Sequence, residues 1–365
     1  GLVKAKTYNW KDTNLEFFGS KEERRVKKES AQHEPAWQDV GKKTGLKIWR
    51  IVKFKVTDWP EEDYGKFYNG DSYIVLNTFK GHDESQSIKY DAHFWIGSNS
   101  TQDEYATAAY KTVELDNYLD DAAIQHREVE GFESELFLSY FPSITIMEGG
   151  ADSGFRKVGP TEYKPRLLHF SGFKQHVTVR EVALHPNRVV TGDVFILDLG
   201  LKLYQWNGRK SSKDERFKAN QYLNNLKSER GGNSSYEVLE ETDTAPTHVF
   251  FESLTGEDVE YEDKVDSEAE IKILHKVSDA AGHLKSTKVK EGDITMADLD
   301  SKDVFILDTG KDCFVWIGHD SSPGEKQNGI GYAHSHLMKT SHPLIPVHVI
   351  KEGQTNRAFN SAIAA

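Results

Sequence analysis

One short pattern of residues occurs three times in this chain, and it restricts the fold to something built by repetition. It reads TGDVFILDLGLKLYQWNGRKSSKDE at Thr191–Glu215 and SKDVFILDTGKDCFVWIGHDSSPGE at Ser301–Glu325. A longer-armed version opens at NGDSYIVLNT (Asn69–Thr78) and closes at HFWIGSNSTQDE (His93–Glu104). Trp95, Trp206 and Trp316 are 111 and 110 residues apart; each is followed two positions on by Gly, and seven later by Glu. An interval of that length is too long for a solenoid and matches one compact domain per copy.

The chain has 365 residues, enough for three such domains, with 37% hydrophobic and 11% aromatic residues to fill their cores. Its net charge of −12 argues against nucleic acid or an anionic membrane as a partner held by bulk attraction. No apolar run approaches the ~20 residues of a membrane span. The first thirty residues are dense in Lys, Arg and Glu and contain no signal-peptide core. Cys313 is the single cysteine, so it forms no internal disulfide and reads as a core thiol. These features point to the cytoplasm.

Each copy opens with an alternating segment: Leu46–Val56, Arg166–Gly172 and Ile271–Asp279. A turn bearing Asp follows, then a β-branched and aromatic run such as Val194–Leu197, which predicts a buried strand. A second strand ends in Trp-x-Gly. In the first copy this hairpin is lengthened by the polar loop Lys80–Lys89. Thr101-x-x-Glu104, Ser212-x-x-Glu215 and Ser322-x-x-Glu325 each predict a helix start with a capping box. The result is an α+β fold. We expect a charged extension over 1–36, repeats over 37–155, 156–256 and 271–365, and an acidic linker over 257–270.

Enzyme chemistry finds little support. No Gly-rich phosphate loop links a strand to a helix. GADSG (Gly150–Gly154) resembles a nucleophile elbow only with its Ser one place late. His334 and His336 are two apart on the third helix and face different sides. The repeated acids are more suggestive. Asp71, Asp193 and Asp303 lie beside the carbonyls of Gly70, Gly192 and Lys302, and Glu104, Glu215 and Glu325 open the helices. A hard dication takes such a mixture of carboxylates and carbonyls. The competing reading makes the Asp an ordinary turn residue and the Glu a capping-box partner; equal spacing fits both.

GKFYNGDSYIVLNTF, YDAHFWIG, TQDEYATAAYKTVELDNYL, IQHREVEGFES, SGFRKV and PTEYKPRLLHFSG, in that order, resemble the gelsolin superfamily, above all its three-repeat severin and fragmin class. The resemblance runs from about Trp37 to the C-terminus. It implies a five-stranded sheet between a long and a short helix in each repeat. It also implies Ca2+-dependent severing, barbed-end capping and nucleation of actin filaments.

Carried over by residue, the resemblance implies calcium ligands at Gly70, Asp71, Glu104 and Ala151 in the first copy. In the second it implies Gly192, Asp193 and Glu215 and leaves the fourth ligand unplaced, with Asp258 and Asp263 as candidates, and in the third it implies Lys302, Asp303 and Glu325. A further site, shared with an actin carboxylate, is implied at Asp116 and the carbonyls of Asp121 and Ala123. The actin-cleft helix corresponds to Tyr105–Leu119, with Tyr110 and Val113 facing the partner and Phe155 following. Periodicity alone makes Tyr110 and Val113 core residues. Pro142–Gly150 has no Lys or Arg, so only Lys164, Arg166 and Lys174 remain as a thin phosphoinositide patch, which argues against lipid control. A calcium-binding actin-monomer sequesterer without severing activity is the rival, and a filament-length assay separates the two.

Overall fold

The computed structural model describes residues 31, 33–82, 86–151, 164–172, 176–258, 272–278 and 285–364. The chain divides into two bodies. One holds the described residues up to Glu62, Asp71–Phe137 and those after Lys264; the other holds Asp63–Gly70 and the described part of Leu138–Asp263. Repeats one and three therefore share a body.

In that body β1 (Gly45–Val52), β2 (Lys55–Asp58), β4 (Ser72–Lys80), β5 (Ile88–Ile96) and β6 (Ala123–Val129) come from the first repeat. The third repeat adds β13 (Ile273–Ser278), β14 (Lys285–Glu291), β15 (Val304–Asp308), β16 (Cys313–Ile317) and β17 (Val347–Lys351). They form one ten-stranded sheet, β14-β13-β15-β16-β17-β6-β5-β4-β1-β2. The second body has seven strands in the order β12-β11-β10-β8-β9-β7-β3. These are β3 (Lys66–Tyr68), β7 (Ser143–Met147), β8 (Arg166–Ser171), β9 (Val177–Val182), β10 (Val194–Asp198), β11 (Lys202–Asn207) and β12 (Ser235–Glu240). Thus β3 and β7, from the 37–155 stretch, lie in the sheet of the second repeat.

The repeated pattern becomes a repeated topology. Antiparallel strands are followed by one that lies parallel to its neighbour: β6 beside β5, β12 beside β11 and β17 beside β16. A parallel step needs a crossover, and the helices supply it. They are α1 (Gln102–Tyr118), α2 (Lys213–Glu229) and, in the third repeat, α4 (Pro323–Lys326) with α5 (Gly329–Leu337). Short helices α3 (Val249–Glu252) and α6 (Arg357–Ala362) follow β12 and β17. In the second body, Ala219, Leu223 and Leu226 of α2 pack with Leu168, Val194 and Ile196, while Phe250 of α3 packs with Phe195 and Trp206. The sheet lies between a long and a short helix.

Two local expectations change. Leu46–Val56 is not one strand, because Lys53 and Phe54 both take left-handed φ (49° and 65°) and turn the chain into a β1–β2 hairpin. The third crossover helix is interrupted after Lys326. A Cβ on Gly329 would stand 2.5 Å from Val349 Cγ1, so the glycine lets α5 lie close against β17. The Trp-x-Gly element also acquires a cause. Gly97, Gly208 and Gly318 donate their amides to the carbonyls of Asp71, Asp193 and Asp303 (3.0, 3.0 and 2.9 Å). A Cβ at Gly208 or Gly318 would lie 2.3 Å from the carbonyl of Thr191 or Ser301. The glycine clamps the Asp loop.

The join between the repeats is β6 against β17, antiparallel, with Val347↔Arg127, His348↔His126 and Val349↔Gln125. Buried Arg127 donates to the carbonyls of Pro343 (2.9 Å) and Ile345 (2.6 Å), and burial pushes its guanidinium down to about 10. His126 lies 2.7 Å from Asp91 through Nε2 and 2.7 Å from His348 through Nδ1, and His348 reaches Asp312 at 2.7 Å. His93 stacks on His126 and bonds Glu128. Burial opposes the Asp91 charge, but His126 outweighs it and holds the carboxyl below its usual range. Ionised Asp91 therefore accepts from His126 Nε2, leaving Nδ1 to accept from His348.

Burial pushes His93 down to about 3 and His126 down to about 4, so both are neutral near pH 7. A depressed histidine stabilises the fold above its ordinary value of 6.5 and loses that contribution as pH falls towards 4. A proton on His126 Nδ1 would also break the bond to His348. Small-angle scattering in calcium-free buffer should therefore show the chain expanding between about pH 6 and pH 4. His126→Gln, which cannot gain the charge, should shift that expansion to lower pH.

Candidate functional site

Each clamped Asp faces a cation or imidazole at one equivalent place on the first strand of its repeat. Arg50 Nη1 is 3.6 Å from Asp71 Oδ2, His169 Nε2 is 2.7 Å from Asp193 Oδ2, and Lys276 Nζ is 3.2 Å from Asp303 Oδ2. The register shows the equivalence: Arg50, His169 and Lys276 lie opposite Tyr73, Phe195 and Phe305, each two residues beyond its Asp. The sequence reading missed these partners. Their signal was present in LKIWR, RLLH and ILHK, whose basic or imidazole residues fall into one slot once the strands are registered.

The second repeat brings its two acids together. Burial, then a hydrogen bond with Asp193, pushes Glu215 up to about 7. Burial disfavours the charge of Asp193, but bonds with His169 and Glu215 outweigh it and hold its carboxyl below the usual range. Glu215 also accepts from the amides of Ser212 (2.7 Å) and Gly172 (3.1 Å). Two carboxylates that share a proton are a natural seat for a hard dication, which removes the repulsion that keeps the proton there. Gly192 is exposed in the loop beside them. Asp258 is instead paired with Arg188 Nε at 2.9 Å, and Asp263 lies outside the described residues.

In the first repeat Asp71 is buried. Ser100 Oγ donates to Glu104 Oε2 (3.3 Å) and is 2.8 Å from the hydroxyl of Ser72, which links the helix start to the strand after Asp71. Gly70 and Ala151 belong to the second body, where the Gly70 amide donates to Gly149. In the third repeat Asp303 and Glu325 are half-buried and Lys302 is exposed; Ser322 Oγ lies 2.8 Å from Glu325 Oε1. Of the three expected capping boxes, the reciprocal pair forms at Ser212–Glu215. At Thr101 and Ser322 the side chain accepts from the Glu amide.

The further site is the most fully assembled. Asp116 lies in the last turn of α1 with its carboxylate buried, and Asp120 and Asp121 take left-handed φ (58° and 61°), which folds the following loop back over it. Asp116 Oδ1 accepts from the Ala123 amide (2.8 Å) and Oδ2 from Gln125 Nε2 (2.7 Å). Lys351 Nζ, from β17, reaches Asp116 Oδ2 at 2.8 Å, the Asp121 carbonyl at 2.6 Å and the Ala123 carbonyl at 3.1 Å. The oxygens expected to hold a cation do hold one, supplied by the chain itself. Nothing local predicts Lys351, which is 235 residues from Asp116.

Val113 does not face outward. It is 2% exposed, in a core that also contains Ile330, Ala333 and Leu337 of the third repeat. With β6 and β17 paired, α1 and α5 share one apolar cluster, as the periodicity of α1 leads one to expect for a core residue. Tyr110 is half-buried and packs on the same cluster. Lys164 is exposed, whereas Arg166 is drawn to Asp198, with Nε at 2.9 Å from Oδ2. Phe155 and Lys174 lie outside the described residues. Cys313 is buried, and burial raises its thiol well above the ordinary value, as a core residue requires.

The gelsolin-repeat model matches residues 53–138, 177–247 and 285–360. Gelsolin-like protein 2 of Lumbricus terrestris is 64% identical over 369 residues, covering 100% of both chains. Severin of Echinococcus granulosus is 45% identical, covering 97% of this chain and 96% of its own. Actin depolymerising venom protein gelsolin 1 of Platymeris rhadamanthus is 37% identical, covering 83% and 84%.

A dication bound between Asp193 and Glu215 should release their shared proton, because only the ionised carboxylates coordinate. With Glu215 at about 7, calcium titrations near neutral pH should show heats that vary with the ionisation enthalpy of the buffer. Asp193→Asn should remove about one calcium equivalent and most of that buffer dependence. Identical heats in all buffers would count against the shared proton.

Proposed function

The chain belongs to the gelsolin-repeat family, and we propose that it is a calcium-dependent actin-binding protein that severs filaments, caps barbed ends and nucleates polymerisation. Two relatives support the choice of partner and action: one is named severin and another is named for depolymerising actin. The observation that carries the reading is the position of the third repeat. β17 pairs with β6, Lys351 lies on Asp116, Asp121 and Ala123, and Val113 is inside a core shared with α5. An actin-facing helix so placed is covered, and its covering rests on carboxylates and carbonyls that a dication can claim.

In this reading the residues that hold calcium are Asp71 with Glu104, Asp193 with Glu215, Asp303 with Glu325, and Asp116 with the carbonyls of Asp121 and Ala123. The carbonyls of Gly192 and Lys302 join the second and third. Calcium supplies two positive charges to each acidic site of a chain whose own net charge is −12. Tyr110 and Val113 of α1, once uncovered, enter an apolar cleft of actin, followed by Phe155. The second repeat binds the filament side and the third engages another subunit. Linked modules raise one another's effective concentration, so modest contacts together break a filament. The protein acts in the cytoplasm on the cytoskeleton and performs no covalent chemistry.

Filament length by microscopy, with pyrene-actin depolymerisation, tests this directly. The full chain should shorten filaments in calcium and leave them intact in chelator. A chain ending at Gly256 loses the third repeat and should shorten filaments with a relaxed calcium requirement. Sequestration of monomers without shortening would favour the rival reading. An undiminished calcium requirement in the shorter chain would contradict the role given to the third repeat.

A further inference from the structure

We infer that Asp308, His336, His342 and His275 form a binding site for a transition-metal ion of the zinc class, separate from the acidic sites described above. The inference does not rest on the functional reading. The repeats supply an internal comparison. The run Val194–Asp198 recurs as Val304–Asp308, and in both the last Asp accepts at Oδ1 from the amide of a Gly two residues on, Gly200 (2.9 Å) and Gly310 (2.8 Å). Asp198 is then neutralised by Arg230, at 2.7 and 2.8 Å, and by Arg166, at 2.9 Å. Those guanidiniums carry a permanent charge and have no lone pair to give a metal. Asp308 meets imidazoles instead: its Oδ2 lies 2.9 Å from His336 Nε2 and 2.7 Å from His342 Nε2.

Four segments bring the donors together. Asp308 ends β15, His336 lies on α5 and His342 in the loop after it. His275 comes from β13, where it stands opposite Ile306, two residues before Asp308, and its ring lies 4.9 Å from that of His336. Its Nδ1 is buried without a hydrogen-bond partner among the described residues. Burial and the neighbouring His336 hold the His275 imidazole below its ordinary value, so near pH 7 it is neutral and keeps a lone pair. Burial opposes the charge of Asp308, but hydrogen bonds with His336 and His342 outweigh it and hold the carboxyl below its usual range. One carboxylate and three imidazoles suit zinc and its neighbours in the first transition row, whereas calcium takes oxygens.

No group of three or more His, Cys, Asp or Glu among the described residues is already spread to metal spacing, and here two shared protons fill the centre. A tetrahedral ion with ligands at ~2.0–2.1 Å sets them about 3.3 Å apart, so the contacts of 2.9 and 2.7 Å need to open by only about half an ångström. Each imidazole then carries its proton on Nδ1, a change of tautomer that turns the Nε2 lone pair to the metal. The Gly310 amide already holds the other carboxylate oxygen, as an outer partner of a ligand does. The bound ion fastens the end of the interrupted third crossover to its sheet.

Zinc and cobalt(II), titrated into the full chain with calcium in excess so that the acidic sites are filled, test the assignment. Calorimetry should find one tight zinc equivalent. Cobalt(II) at the same place should give the intense visible absorption of a four-coordinate ion, which six oxygen ligands do not produce. His336→Gln and His342→Gln each keep an N–H donor for Asp308 while removing a metal ligand. Each should abolish the band and weaken zinc binding by about a hundredfold, the upper end for loss of an outer partner, since here a ligand itself is lost. A tight zinc equivalent that survives both substitutions, or a wild type without the cobalt band, would overturn the proposal. If the variants fail to fold, acylation of histidines by diethyl pyrocarbonate, read by mass spectrometry on the wild type, still decides. His342, whose side chain is 33% exposed, should be modified in calcium alone and protected by added zinc. Equal modification with and without zinc would contradict the site.

Discussion

A strand at the edge of a sheet must find a partner for its backbone or be blunted, and that constraint organises this molecule. Each repeat crosses over to a strand that lies parallel to its neighbour and whose outer side needs covering. β6 and β17 solve the problem for one another, giving the ten-stranded sheet. β12 ends its own sheet and carries Glu237 and Glu240, with most of its side chains exposed or half-buried. The first and third repeats thus share a body because β6 and β17 pair. The junction combines buried polar pairs with apolar packing: Arg127 meets carbonyls, His126 meets His348 and Lys351 meets Asp116, while Val113 shares an apolar cluster with Ile330, Ala333 and Leu337, and Ile124 another with Ile350.

The same chemistry recurs at every acidic site. Asp71, Asp193, Asp303 and Asp116 are matched with Arg50, His169, Lys276 and Lys351. An uncompensated carboxylate in a half-buried loop is costly, and the chain supplies a charge, or in the second repeat an imidazole and a shared proton. The compensation differs in strength. An arginine at 3.6 Å, a histidine at 2.7 Å and lysines at 3.2 and 2.8 Å are not equivalent partners for a carboxylate.

Much of this was legible in the residues, for reasons that can be stated. The strand pairs around Val194–Leu197 and the helix starts at Thr101, Ser212 and Ser322 rest on local signals, alternation and capping, and the chain follows them. The hairpin at Lys53–Phe54 was missed because two non-glycine residues in left-handed conformation carry no turn signature. The broken third helix was signalled by Gly329 and Gly331, but the reason for the first lies in Val349, a distant contact. The acids of the sites were visible through repetition. Their cations were not, since Arg50, His169 and Lys276 align only once the strands are registered. Lys351 becomes visible only once two repeats share a sheet. What covers Val113 was not legible for the same reason, because a helix's apolar stripe does not say whether its own repeat, another repeat or a partner covers it.

The central claim is that the β6–β17 junction holds repeats one and three together until calcium binds. Amide hydrogen exchange of Ala123–Val129 and Val347–Lys351 measures that junction directly. The account predicts slow exchange at both strands in chelator and a joint acceleration in calcium, while β10 and β11 stay protected. Equal protection of β6 and β17 with and without calcium would contradict it.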